Sequence, residues 1–350
     1  MSQKTIEEIA ALANISRSTV SRVLNNHPNV RPAVRDRVLK VIDEYGYAPR
    51  AAARSLASRR TNVIGLLIPR SAAVIFSDPF FATVIQGLTE ACASAGYFLM
   101  LAMVTADREQ GFYEGIVRSG HFDGVIMLSS DIDDPILPLL MRDKSPLVLF
   151  GSHPYLHDVA WVDVAQREGA RLATTHLLNL GHRRIATITG PLTMAAALNR
   201  RDGYKQSMLE AALPIQTELI VEGDWTEQGG YTAMQQLLRL PERPTAVFSA
   251  SDTTTVGAIR AITEADCHVP DDIALVSFDD LPIATYTTPP LTTIRQPIAD
   301  MATAAVRLLL DQIDTQTYST DHVRVLPQLV IRESCGAARK AVLPKKGGSS

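Results

Sequence analysis

The sequence has 350 residues, of which 46% are hydrophobic and 20% charged, and its formal net charge is −3. This length suffices for two or three globular domains. No apolar run approaches the roughly 18 residues that a membrane span needs. The first residues, MSQKTIEEIAALAN, carry acids where a signal peptide has a basic flank, so we expect a cytoplasmic protein.

The charge is unevenly distributed along the chain. Residues 1–60 contain eleven lysines and arginines and five acidic residues, a balance of +6, whereas the remainder has a balance of −9. From residue 14 to residue 35 there are four arginines and no carboxylate. A basic segment on an acidic body indicates a polyanionic partner for the first sixty residues only.

Three short helices are predicted in this basic segment. Apolar residues at helical spacing begin after Thr5, which is a suitable N-cap, and the pattern breaks at Asn14. Ser16 can cap a second helix, whose inward residues are Val20, Val23 and Leu24. A third helix follows Pro32, with inward residues Val34, Val38, Val41, Ile42 and Tyr45.

The outer face of the second helix carries arginine and short polar residues. Its members are Arg17, Ser18, Ser21, Arg22 and Asn25. Two short helices joined by a tight turn are typical of a helix-turn-helix, whose second helix enters the DNA major groove by its N-terminal end. Arginine can bind guanine with two hydrogen bonds. The alternative is an ordinary solvated helix face, which would leave the missing carboxylates unexplained.

From residue 62 the chain alternates short apolar stretches with amphipathic ones. The first series of expected strands is NVIGLLIP, YFLMLAMV, DGVIMLS and PLVLFGS, and the second is RRIATITG, TELIVEG, TAVFSAS and DIALVSFDD. Stretches such as FFATVIQGLTEACASAG and REGARLATTHLLNLG separate them as helices. Two successive series of this kind predict two doubly wound lobes with parallel sheets and a ligand cleft at the carboxyl ends of the strands.

Enzyme motifs are missing from the sequence. There is no phosphate-binding GxxxxGK[ST], no GxGxxG after a strand, no GxSxG and no HExxH. The three cysteines, Cys92, Cys267 and Cys335, are too widely spaced for a zinc site or a disulfide framework and are expected to be buried thiols. We therefore expect neither catalysis nor a cofactor or metal.

The stretches TIEEIAALANISRSTVSRVLNNHPNV and RDRVLKVIDEYGYAPRAAARSLASRRTNVIGLLIP resemble the lactose/galactose repressor family of bacterial transcription regulators. The resemblance continues to about residue 335. One departure is Arg31, where the family usually has a small capping residue.

The resemblance implies an all-α helix-turn-helix domain at 1–49, a hinge at 50–61 and an effector-binding and dimerisation domain at 62–335. The last is an α/β, two-lobed domain like a periplasmic binding protein. Its first lobe would comprise about 62–161 and 293–320, and its second about 163–291 and 324–335. Three crossings are expected near 161–162, 292–296 and 320–324, followed by a flexible tail at 336–350.

In such a regulator, Arg17 and Ser18 would choose bases and Arg22 would read the operator half-site. The residues expected at DNA phosphates are Ser16, Thr19, Ser21, Asn25 and Tyr47. In the hinge, Leu56 would wedge into the minor groove with Arg54 on the backbone, although an ordinary linker is the alternative reading without the family.

The resemblance also implies a set of effector-binding residues in the cleft. They are Phe80, Phe81, Arg200, Trp225, Ser251, Asp279 and Gln296. Aromatic faces and charge-assisted hydrogen bonds suit a sugar. Gly151 stands where several members have a carboxylate, with Ser152 or His153 as candidate replacements, and Met194 and Ala196 replace the polar residues of purine-responsive members. The second departure disfavours a purine. The small residues at Gly151 and at 195–197 favour a neutral sugar larger than a monosaccharide.

The expected function is that of a nucleoid-associated homodimeric repressor of sugar-utilisation genes that a sugar releases from operator DNA. The alternative is a sugar-binding protein of the transport type, which would need a signal peptide and would have no use for residues 1–60.

Overall fold

The computed structural model describes residues 4–24, 27–47, 60–105, 109–118, 120–128 and 131–337. It divides the chain into two compact units on either side of the Thr61–Asn62 bond. Residues 48–59 and 338–350 lie outside the described residues. The first range contains most of the predicted hinge, and the second contains most of the predicted tail.

The first unit consists of helices α1 (Ile6–Leu12), α2 (Arg17–Leu24) and α3 (Pro32–Tyr45). Thr5 and Glu8 form a capping box at the start of α1, in which each side chain accepts a hydrogen bond from the other's backbone N–H. Asn14 ends the helix with φ 53°, a left-handed conformation that asparagine adopts more readily than most residues. The small core comprises Ile9, Ala10, Ala13, Val20, Val23 and Val38.

The structure bears on two sequence expectations about α3 and contradicts the first of them. Tyr45, predicted to face inward, is 43% exposed and lies beneath the Lys4 ammonium, whereas Tyr47 packs against the core instead. Arg31 is the N-cap residue and its side chain makes no capping hydrogen bond, so Pro32 begins the helix without side-chain support.

The second unit contains two lobes, each built on a six-stranded sheet. The sheet of the first lobe has the order β11-β5-β4-β3-β1-β2 and is parallel throughout. Its strands are β1 (Val63–Ile68), β2 (Phe98–Met103), β3 (Gly124–Leu128), β4 (Leu147–Phe150), β5 (Ala160–Val164) and β11 (His322–Val325). Its helices are α4 (Ala72–Ser77), α5 (Pro79–Ser94), α6 (Glu109–Phe112), which continues as a π-helical turn (Tyr113–Val117), α7 (Ile136–Arg142) and α13 (Ile298–Thr315).

The sheet of the second lobe has the order β12-β10-β9-β8-β6-β7, with only the β10–β12 pair antiparallel among its described strands. Its strands are β6 (Ile185–Thr189), β7 (Ile220–Glu222), β8 (Ala246–Ser249), β9 (Ala274–Asp279), β10 (Thr292–Arg295) and β12 (Gln328–Val330). Its helices are α8 (Gln166–Asn179), α9 (Ala195–Glu210), α10 (Glu227–Leu238), α11 (Asp252–Glu264) and α12 (Ile283–Tyr286), with a 3₁₀ turn at Thr217–Leu219.

The chain changes lobes three times, after Val164, after Arg295 and after Val325. The second point lies within the expected range 292–296, and the first and third lie two and one residues beyond the expected 161–162 and 320–324. At these points β5, β10 and β11 each complete their pairing within one sheet before the chain crosses. Consequently β10 belongs to the second lobe and β11 to the first.

The described helices include none that is long and apolar enough to cross a membrane. Of the three cysteines, Cys92 and Cys335 are buried, and burial raises the pKa of the Cys92 thiol to about 11. Cys267 departs from the expectation, because it is only partly buried and lies 3.4 Å from an Arg243 guanidinium nitrogen.

Asp252 joins the start of α11 to the neighbouring strands of the second lobe. Its carboxylate accepts hydrogen bonds from the Ser277 hydroxyl on β9, from the Thr293 hydroxyl on β10 at 2.8 Å and from the Leu281 N–H at 2.7 Å. The side chain is fully buried, and burial raises its pKa to about 6. The N-cap of α11 is Ser251, whose hydroxyl accepts a hydrogen bond from Thr254 N.

We expect Asp252→Ala to lower the free energy of unfolding by about 3 kcal/mol, because three buried donors lose their acceptor. Urea denaturation followed by circular dichroism measures the change. The exposed helical carboxylate Asp311 provides the matched control, and its alanine variant should stay within about 0.5 kcal/mol of the parent. A loss for Asp252→Ala no larger than that of the control would contradict the role of this side chain.

Candidate functional sites

The surface of α2 brings six of the predicted DNA-binding residues onto one continuous stretch. Ser16, Arg17, Ser18 and Arg22 are exposed, while Thr19 and Ser21 are half-buried at the edge of the small core. The first turn of α2 contains no acidic residue. A helix N-terminus without carboxylates favours the approach of phosphate, because its free N–H groups and dipole attract anions.

Ser16 organises this helix start. Its hydroxyl accepts a hydrogen bond from Thr19 N at 3.3 Å and lies 2.8 Å from both the Ser18 and Thr19 hydroxyls. Arg17 extends from the same turn and its Nε lies 3.1 Å from Glu7 of α1, in a pair with both side chains largely exposed. Such an exposed pair contributes little free energy and leaves Arg17 easily redirected towards another partner.

Tyr47 lies half-buried against the small core, and burial raises the pKa of its phenol. Three further predicted DNA contacts, Asn25, Arg54 and Leu56, lie outside the described residues.

A second candidate site is a cavity of about 730 Å³ between the two lobes. All seven predicted effector residues contribute to its lining, although they come from six separate places in the chain. Phe80 and Phe81 stand at the start of α5 with ring centroids 5.7 Å apart, edge to face. Phe81 also belongs to the hydrophobic core, so it has both a packing role and a place in the wall.

Arg200 is a buried cation at the floor of this cavity. It is only 4% exposed, and its guanidinium donates to the Gln166 side-chain oxygen at 2.7 Å, to the Ala250 carbonyl and to Asp279 at 3.4 Å. Its Cζ lies 3.7 Å from the centroid of the Phe278 ring. Arg200 and Asp279 form an ion pair within the second lobe, to which both partners belong.

The hydrogen-bond network of Arg200 extends through two of its partners, Asp279 and Gln166, to further side chains. Asp279 accepts from the Gln296 amide at 2.6 Å, and Gln166 donates to Asp163 at 2.9 Å. Burial raises the pKa of Asp279 against the opposing effect of Arg200, and burial likewise raises the pKa of Asp163. Because Asp163 is the penultimate residue of β5 in the first lobe, the network runs across the point where the chain changes lobes.

Backbone strain also concentrates at this cavity. Asp279 has φ 114° and Trp225 has φ 68°, values that residues with a Cβ rarely adopt. Gly151, with φ 119°, has open space where a Cβ would stand, so no side chain fills this part of the wall.

The structure distinguishes the two candidate replacements at Gly151. The Ser152 hydroxyl lies in the lining and donates to Asp163 at 2.7 Å. His153 is committed elsewhere, because one ring nitrogen lies 2.9 Å from the Ile132 carbonyl and the other accepts from Tyr155 N and Leu156 N. A carboxylate is nevertheless supplied to this region by Asp163, which the sequence reasoning missed.

Direct hydrogen bonds join the lobes on two sides of the cavity. On one side, Thr193 of the second lobe donates its hydroxyl to Asp131 of the first at 2.7 Å, and Ile132 N donates to the Thr193 carbonyl at 2.8 Å. Arg70 holds the same Asp131 carboxylate at 2.9 Å. On the other side, Thr253 donates to Asp78 at 3.1 Å.

Several lining residues could not be selected from sequence alone. Asp78, Asp131, Asp163, Gln166 and Thr253 each contribute a polar group to the lining. Asp78 lies two positions before Phe80, and Thr253 lies two positions after Ser251, so closeness in sequence to predicted residues was the available signal. The described residues contain no group of three or more His, Cys, Asp or Glu side chains arranged to hold a metal ion.

Comparisons with known proteins agree with this arrangement. Residues 5–50 match the model for bacterial regulatory proteins of the lacI family, and residues 174–335 match the periplasmic binding protein-like domain. The chain is 37% identical to the HTH-type transcriptional regulator CelR of Thermobifida fusca, covering 94% of this chain and 98% of the relative. It is 36% identical to the ribose operon repressor of Escherichia coli (strain K12), covering 94% and 99%.

Solved structures show the same organisation. The transcriptional regulator CelR–cellobiose complex matches with a TM-score of 0.75 at 35% identity, covering 95% of this chain and 100% of the other. The lac repressor dimer bound to operator and the anti-inducer ONPF matches with a TM-score of 0.84 at 26% identity, covering 95% and 99%.

A helix-turn-helix unit followed by a two-lobed unit with a polar cleft defines a DNA-binding transcriptional regulator. The chain belongs to the LacI family of bacterial regulatory proteins, which confirms the resemblance and the fold class expected from the sequence. Because this family is made of regulators, the protein is not an enzyme.

We expect Thr193→Val to make the lobes separate more often, because it removes the side-chain hydrogen bond to Asp131. Hydrogen exchange at the Ile132 amide reports the effect, and its rate should rise about two- to tenfold for the loss of one hydrogen bond. Thr263→Val is the matched control, since the Thr263 hydroxyl bonds only within α11. Equal exchange rates in both variants would show that the Thr193 hydroxyl does not hold the lobes together.

Proposed function

We propose that this regulator is a cytoplasmic, nucleoid-associated repressor of sugar-utilisation genes, released from its operator by a small neutral sugar. The observation that carries the proposal is the cavity between the lobes, where aromatic faces stand beside a hydrogen-bonded network that includes Arg200 and Asp279. Such a combination suits pyranose rings, whose C–H faces are apolar and whose edges carry hydroxyls.

The size of the cavity supports a sugar larger than one ring. Its volume of about 730 Å³ lies in the upper part of the usual range for small-molecule sites, and the small residues Gly151, Ala195 and Ala196 leave the wall open. A relative of this chain has a structure in complex with cellobiose. Cellobiose is therefore the first disaccharide to test.

The charges around the cavity support an uncharged ligand. Among the described lining residues, six carboxylates face two arginines. Arg70 is held by Asp131 and Arg200 by Asp279, so neither cation is offered to an anion without competition. A phosphorylated or acidic sugar would have to compete with these carboxylates for either arginine, which opposes its binding.

The DNA contacts are proposed to follow the family. The exposed α2 surface would enter the major groove, where Arg17, Ser18 and Arg22 contact bases and Ser16, Thr19 and Ser21 contact phosphates. Tyr47, together with Asn25, Arg54 and Leu56 outside the described residues, would complete the set.

A homodimer is proposed on the same basis, since operators of two-fold symmetry match two-fold proteins. The edge strand β2 supports it with outward-facing Phe98 and Met100, and Phe76 on α4 is 75% exposed. Exposed apolar edge strands are unusual on a monomer, because they invite association. The transport-type alternative is disfavoured because it gives no role to a complete DNA-binding domain.

A thermal-shift screen with neutral sugars, their phosphorylated forms and nucleosides tests the effector. A ligand at a hundred times its dissociation constant adds about 2.7 kcal/mol to the stability of the protein, which raises its melting temperature. We expect a shift with a neutral disaccharide such as cellobiose, and at least a hundredfold weaker binding of a phosphorylated counterpart. A shift with nucleosides alone would refute the sugar assignment and leave the DNA-binding unit unaffected.

For DNA recognition, we expect Arg22→Ala to reduce discrimination between operator and mutated half-sites by about 1–3 kcal/mol. The physical reason is the loss of paired hydrogen bonds to a base edge. Fluorescence anisotropy with operator, half-site variants and random DNA measures the change.

Arg37→Ala is the control, because it removes an equal charge from the exposed face of α3. Its effect, if any, should be equal on operator and random DNA. An Arg22→Ala variant that keeps its preference among half-sites would refute the base-reading role.

A further inference from the structure

Trp225 stands in the wall of the cavity in an unusual backbone conformation. It lies in the loop between β7 and α10 with φ 68°, and the side chain is partly exposed to the cavity. Its ring is also 5.4 Å from the Arg200 guanidinium carbon. A side chain on such a strained loop keeps one orientation only if neighbouring groups hold it.

Gly190 is the first of these neighbours. It follows β6 directly, and a Cβ added there would overlap three consecutive atoms of the indole, Cε2, Cζ2 and Cη2. Overlap with three atoms of one ring means that the Gly190 backbone lies over the indole. Only glycine permits this close approach, so the residue at 190 decides where the ring can lie.

Met194 is the second neighbour. The indole N–H of Trp225 donates to the Met194 sulfur at 3.1 Å. The thioether is a weak acceptor, but it is the partner that this N–H has in the structure. Met194 is 8% exposed and itself lines the cavity at the start of α9.

We propose that Met194 and Gly190 are positioning residues that fix Trp225 against the cavity wall. On the basis of the sugar ligand proposed above, Trp225 recognises a C–H surface of the sugar by stacking alone. The sulfur of Met194 occupies the indole N–H, so the ring offers the ligand no hydrogen-bond donor. Replacing either residue changes sugar affinity through Trp225 and not through contacts of its own.

A double-mutant cycle with cellobiose, measured by isothermal titration calorimetry on the full chain, separates these two routes. Met194→Leu keeps the volume but removes the acceptor, and affinity should fall about two- to tenfold. In a Trp225→Phe background there is no N–H to hold, so Met194→Leu should change affinity less than about twofold. An equal loss in both backgrounds would overturn the proposal, because Met194 would then act without the indole.

A second cycle tests Gly190. Gly190→Ala should weaken binding more than tenfold by displacing the indole, since the added methyl overlaps the ring. Phenylalanine at 225 lacks the outer ring atoms, so Gly190→Ala should cost much less in that background. Met301→Leu is the matched control, because Met301 also lines the cavity but belongs to α13 of the first lobe. That effect should be the same with Trp or Phe at 225.

A ligand-free measurement distinguishes failure of this inference from failure of the sugar assignment. The chain has two tryptophans, so Trp161→Phe leaves Trp225 as the only one, and selective excitation of tryptophan separates its emission from that of the tyrosines. In that background Met194→Leu should shift the emission to longer wavelength and increase quenching by acrylamide, whereas Met301→Leu should do neither. An unchanged spectrum would overturn the positioning role, whichever ligand the cavity takes.

Discussion

The structure of the effector domain depends on the burial of Arg200. A guanidinium with 4% exposure carries a large desolvation cost, which only several well-placed acceptors can offset. Those acceptors come from Gln166, Ala250 and Asp279, at the ends of different elements. The hydrogen bonds to this guanidinium therefore hold the ends of β5, β8 and β9 close together, and these ends form the floor of the cavity.

The same region carries the groups that can respond to a ligand. Cross-lobe hydrogen bonds of Thr193 and Thr253 involve few atoms, so closure rests on a small free energy that ligand contacts can change. Thr193 and Met194 are adjacent in one loop, which thus contacts both the opposite lobe and the Trp225 indole. Any coupling between effector and operator must be reciprocal, whatever its sign.

Charge separates the tasks of the two units. The first unit exposes arginines and hydroxyls around the start of α2, with the long-range attraction for phosphate that DNA binding needs. The cavity of the second unit has more carboxylates than cations among its described residues, which suits neutral hydroxylated ligands. One chain with a net charge of −3 can thus carry a polyanion-binding surface.

The sequence by itself determined the helix-turn-helix, the two βα series and, with the family resemblance, seven residues that line one cavity. Hydrophobic periodicity and capping residues are local signals, so they can be recognised without the fold. Helical periodicity gave a wrong prediction for Tyr45, which is exposed in the structure. The tyrosine that packs on the core is Tyr47, which lies beyond the end of the helix pattern. Only the tertiary structure placed Asp163 beside Gly151, committed His153 to the backbone and brought Met194 to Trp225. These contacts join residues from separate elements, and their distances follow from how the two sheets pack rather than from any local pattern.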